Sequence, residues 1–143
     1  MNTKLILSTL AGTVVAYLLG WLIYGVLLAS FMTNNTVHYD GLMKAMDGSF
    51  MFLILLSNLV MVFLVAFIFQ RWAKFEKLLQ GLTAGMLLGF LFALSYDLYF
   101  IASMNLINVS SMIVDIIANT VVVGITGAVV AWVLGYKSKT ATA

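Results

Sequence analysis

Four apolar stretches, at roughly 5–32, 50–71, 82–104 and 109–136, constrain this chain more than any other feature. Each reaches or exceeds the ~20 residues that an α-helix needs to cross the hydrocarbon core of a bilayer. In lipid every backbone N–H and C=O must pair within the segment, which makes helices the economical assignment. Membrane strands would need alternating segments of about ten residues, and that alternation is missing. The expected fold class is therefore all-α: an integral membrane four-helix bundle forming a single domain over residues 1–143.

Composition supports the same solvent. The chain is 64% hydrophobic and only 8% charged, with a mean hydropathy of +1.12. A soluble domain carries roughly 25% charged residues, so this chain cannot cover a water-facing surface, and its main partner is the lipid bilayer. The length leaves no room for a separate soluble module. The first stretch is far longer than the 7–15 apolar residues of a signal peptide, and Lys4 is its only basic lead-in, so an uncleaved first span is expected.

Basic residues set the expected orientation. Lys4 precedes the first stretch, Arg71, Lys74 and Lys77 lie between the second and third, and Lys137 and Lys139 follow the fourth; only Lys44 lies on the other side. The positive-inside rule then puts both termini in the cytoplasm, with Trp72 and Trp132 as anchors at that boundary. The net charge of +2 and pI of about 9.0 follow from this placement and do not argue for a nucleic-acid partner.

The outer connection, residues 33–49, is the one long loop. Asp40 is placed to cap a short interfacial helix with Leu42, Met43 and Met46 on one face, Lys44 and Asp47 toward water, and Gly48 ending it. Asn34-Asn35-Thr36 and Asn108-Val109-Ser110 match the glycosylation pattern, but such short matches arise by chance.

Several chemistries are excluded. With no cysteine and a single histidine, His38, thiolate chemistry, a bis-histidine haem and a His-rich zinc site have no ligands. No Ser-His or Cys-His arrangement and no phosphate loop is present, and the Glu-x-x-His motifs of a di-metal carboxylate site are absent. The sequence therefore argues against an enzyme and implies no cofactor and no metal.

Small residues recur every four positions in three stretches: Ser8, Gly12, Ala16 and Gly20 leading to Tyr24; Gly81, Gly85, Gly89 and Ala93 leading to Asp97; Asp115 and Asn119 followed by Val123, Gly127, Ala131 and Gly135. Rows of this kind let helix backbones approach closely in lipid. They serve packing within the chain, and any row left over would serve homo-oligomerisation. The second stretch, rich in Phe and aliphatics, is expected to face lipid or a partner subunit.

Two acids stand inside these apolar runs. Asp97 and Asp115 each lie nine residues from Leu106, in the turn Met104-Asn105-Leu106-Ile107-Asn108. Antiparallel helices about that turn would hold both carboxyls at one depth, roughly 13 Å below it. Tyr24, Ser57, Asn58, Ser95, Tyr96 and Asn119 count to a similar level. The expected feature is a polar layer drawn from all four spans, with Asp97, Asp115, Asn58, Asn119, Tyr24 and Tyr96 as candidate site residues. An intramembrane carboxylate costs about +2.5 to +3.5 kcal/mol and is by default a functional hypothesis. The layer would form a small hydrated cavity for a proton, a cation or a polar head group, or its acids would only hold helices together through hydrogen bonds.

The segment Gly20-Trp21-Leu22-Ile23-Tyr24-Gly25, with the four-span layout, resembles a large family of small bacterial membrane proteins of unknown function. Members often carry Trp directly before the Tyr, where this chain has Ile23. The resemblance implies a four-helix protein of the bacterial cytoplasmic (inner) membrane and supplies no activity, cofactor or site. Two functions are compatible with the sequence. One is a non-catalytic membrane protein acting as a homo-oligomer or as an accessory subunit of a membrane complex. The other is a small proton- or cation-coupled transporter or channel using the carboxylate pair.

Overall fold

The computed structural model describes residues 3–41, 44 and 47–136. Among them the chain is helical: α1 (Thr3–Gly20), a π-helical segment (Trp21–Leu27), α2 (Ala29–Asn35), α3 (Gly48–Ile68), a second π-helical segment (Phe69–Ala73), α4 (Leu78–Ser103) and α5 (Val109–Gly135). Four helices are long and apolar enough to cross a membrane: Thr3–Leu27, Gly48–Ala73, Leu78–Ser103 and Val109–Gly135. The all-helical four-span bundle expected from the apolar stretches is the observed fold.

The first span ends earlier than its hydropathy does. Its π-helical end closes with the Leu28 N–H donating to the Ile23 carbonyl at 2.7 Å, and the chain restarts as α2. Thr36 then forms an isolated antiparallel bridge with Ile107, and the Val37 N–H donates to the Leu106 carbonyl at 2.9 Å. Asn108 donates its amide to Asn35 Oδ1 at 2.8 Å, and Ser111 Oγ donates to the Asn35 carbonyl at 3.2 Å. These bonds tie the C-terminal end of the first span and α2 to the α4–α5 turn.

One expectation for the outer loop is corrected. Asp47 is the N-cap of α3, its carboxylate accepting from the Phe50 N–H at 2.8 Å and the Ser49 hydroxyl at 2.7 Å. Gly48 therefore starts a long helix and does not end a short one, because a side-chain acceptor satisfies the orphan donors of the first turn that follows it. Leu42, Met43 and Met46, the apolar face of the expected interfacial helix, lie outside the described residues, as do Lys137 and Lys139. Asp40 and Gly41 form a turn, with Gly41 at φ +80°, a conformation glycine adopts without steric cost.

Helix α5 sits centrally, packed against α1, α3 and, most closely, α4. The α4 row is what brings α4 so near. A Cβ on Gly81 would strike the Gly127 carbonyl, one on Gly85 would lie 2.5 Å from the Val123 oxygen, and one on Gly89 would lie 2.8 Å from the Asn119 oxygen. On α1, a Cβ on Gly12 would meet Val62 at 2.6 Å and Val130 at 2.7 Å. The α4 row is buried inside the chain along its length, and the α1 row is buried from Ser8 to Ala16; small residues there let the backbones approach closely, as lipid gives helices no hydrophobic drive to associate.

Helix α3 holds to the bundle by its inner half, through Val62, Val65, Ala66 and the following Phe69. Residues 51–57 are all exposed, and this half of the Phe-rich second span touches α1 through the Tyr17 hydroxyl, which donates to Met51 Sδ at 3.3 Å.

Candidate functional site

The register of α4 on α5 places the acids. Gly81, Gly85 and Gly89 face Gly127, Val123 and Asn119 in turn. Continuing that ladder brings Ala93 level with Asp115, and Asp97 level with Ser111. The two acid backbones are therefore about one helical turn apart in depth, not at one level, because the contact ladder centres nearer Met104 than Leu106. Side chains on a helix lean toward its N-terminus. In an antiparallel pair Asp97 leans inward and Asp115 outward, so their carboxyls converge across the step.

Asp97 is 5% exposed and Asp115 half-buried. The two carboxyls are neighbours across the α4–α5 contact, and Tyr24 lies beside Asp115. Asn119, one turn after Asp115 on α5, donates its amide to Asp115 Oδ2 at 3.2 Å and to the Tyr24 hydroxyl at 3.1 Å. Asp97 Oδ2 is buried with no hydrogen-bond partner. Such an orphan is expensive, at about 1–3 kcal/mol.

Of the six candidate residues, the structure brings together Asp97, Asp115, Asn119 and Tyr24. Asn58 is elsewhere: partly buried on α3, its amide donates to the carbonyl of Ile54 on its own helix at 2.9 Å. Tyr96 is 60% exposed and packs on Phe100, its ring centroid 4.7 Å away. Neither residue reaches the carboxyl pair. The layer is drawn from three spans, because Asn58 bonds within its own helix and Ser57 is exposed. A count of residues from each boundary gives depth but not azimuth, and the second span's polar residues face away.

Two elements of the site were not anticipated from the sequence. Tyr24 rides on the π-helical segment Trp21–Leu27, whose extra residue per turn alters which way its side chains face; π-bulges are frequent at functional sites. The Asn35–Asn108 latch above the pair is the second. Gly20 and Gly25 bracketing an aromatic pair are the visible trace of the first; the polar side chains on either side of the turn are the trace of the second.

Fold and site together define a multi-pass membrane protein with a carboxyl pair between three of its helices. Comparison with protein-family models, with curated proteins and with solved structures found no match to this chain.

Proposed function

We propose that this protein is a small ion-coupled membrane protein in which Asp97 and Asp115 bind and release a proton or a monovalent cation during its passage across the membrane. The observation carrying this reading is the orphaned Asp97 Oδ2 beside a second carboxyl. Acids that only fasten helices have their oxygens occupied by donors; here one buried oxygen is left open, and the basic residues of the spans, Lys4 and Arg71, lie at the opposite end of the bundle from the pair. A small positive ion supplies what the site lacks.

The accompanying proposal is a bacterial cytoplasmic membrane with both termini in the cytoplasm. Its support is the clustering of Lys4, Arg71, Lys74 and Lys77 at one end against Lys44 at the other, together with the glycine–aromatic motif of residues 20–25. A homo-oligomer, or a place in a larger complex, fits the exposed outer half of α3 and would complete a pathway that four helices hardly enclose.

Purified protein in liposomes tests the function. A pH or sodium gradient should drive ion movement in the wild type and not in Asp97→Asn or Asp115→Asn. If the wild type moves no ion while both variants keep its stability, the ion-coupled reading fails.

A further inference from the structure

Resting on that carboxyl-pair reading, we infer that the ion is a proton shared between Asp97 and Asp115, carried on Asp97, and that the site is not built for a metal cation. The two carboxyls are neighbours, yet the buried Asp97 Oδ2 has no partner. When both are ionised neither has a hydrogen to give, and their closeness satisfies nothing. One proton gives Asp97 an O–H to donate toward the carboxylate of Asp115 beside it.

The neighbours face the pair with hydrogens rather than lone pairs. Asn119 turns its amide N–H toward Asp115 and Tyr24. Because the Tyr24 oxygen accepts from Asn119, its own hydrogen is free to point at Asp115. A metal cation needs the opposite arrangement, a shell of oxygens with lone pairs inward. Among the described residues no three acidic, histidine or cysteine side chains gather to provide one. The available donors also fall unequally: they converge on Asp115 and none reaches Asp97 Oδ2. Negative charge therefore belongs on Asp115, and the proton on Asp97.

The groups facing the pair are Tyr24 from the first span, Asp97 from α4, and Asp115, Asn119 and Ser111 from α5; the Ser111 hydroxyl is already committed to Asn35. In the loading step a hydronium ion gives its proton to Asp97 Oδ2. An O–H bond forms there, a water molecule is left, and the pair passes from two negative charges to one. Unloading returns the proton to water.

The test is labelling of the full chain in detergent with N,N′-dicyclohexylcarbodiimide, which adds to protonated carboxyls in apolar surroundings, read by peptide mass spectrometry. The expected adduct is on Asp97, falls about tenfold per pH unit above its midpoint, and is unchanged by sodium, potassium or lithium at constant ionic strength. Asp97→Asn should lose it; should that variant not fold, the cation series on the wild type decides alone. Tenfold protection by one of those cations at fixed pH would overturn the proton and leave the carboxyl-pair reading standing. An adduct on Asp115 alone would overturn the assignment to Asp97. A monodisperse protein with no adduct at any pH and no ion movement would sink both.

Discussion

Asn119 is the residue through which the first span reaches the acids, since its one amide nitrogen serves both Tyr24 and Asp115. Hydrogen bonds between membrane helices average about 0.6 kcal/mol and seldom exceed 2. Asn119→Leu should therefore lower stability in detergent by about 1 kcal/mol. In a double-mutant cycle with Tyr24→Phe the two losses should be less than additive; full additivity would mean the bond is not made. A second expectation concerns Asp47, outside the spans. The Ser49 hydroxyl, and then the Phe50 N–H, hold its carboxyl below the usual carboxylate range. A group depressed in the folded state contributes stability above its unfolded pKa, and that contribution is lost as pH falls through the folded value. The protection of the Phe50 amide, its exchange divided into the intrinsic rate at each pH, should fall between about pH 5 and about pH 2. In Asp47→Asn, which caps without a charge, this fall should be absent.

At the scale of elements, the α4 and α5 rows work as one interface. Gly85→Ala puts a Cβ 2.5 Å from the Val123 oxygen, where backbone rather than a flexible side chain must yield. Overpacking of this kind typically costs about 1–3 kcal/mol, and thermal unfolding in detergent should show it. Gly20→Ala is the contrasting case: nothing lies within 4 Å of the added Cβ, and the backbone is ordinary right-handed helix. It should be neutral or stabilising by up to about 1 kcal/mol. If Gly20→Ala proved as damaging as Gly85→Ala, packing would not be the cause of either effect. The π-helical segment that begins after Gly20 gives Tyr24 its direction, so the four-residue spacing that points to Tyr24 correctly names the residue without describing how it arrives.

For the whole molecule, the ends of the bundle differ in charge. Lys4 donates to the Leu134 carbonyl at 3.0 Å, which places it where the carbonyls at the end of α5 lack helical partners. Lys44 belongs to the loop at the opposite end of the bundle. With no native cysteine, single substitutions report orientation directly. Lys44→Cys should react with a membrane-impermeant maleimide added to intact cells, and Lys74→Cys only after the cytoplasmic side is opened. The reverse pattern would invert the topology.

How much was legible follows from what lipid demands. Hydropathy depends on residue identity summed over a stretch, so the sequence alone determined the all-helical fold, the four spans and the cost of two acids within them. Small-residue rows added which faces are close-packed, because a missing side chain is visible without coordinates. Azimuth and register are properties of pairs of helices, and only the tertiary structure decided them. It offset the acids by a turn while letting their side chains converge, left Asn58 and Tyr96 pointing away, unwound the end of the first span around Tyr24, and left one carboxylate oxygen of Asp97 without a partner. That last feature arises because α5 spends its donors on Asp115 and the latch above it, and none is placed to reach across to α4.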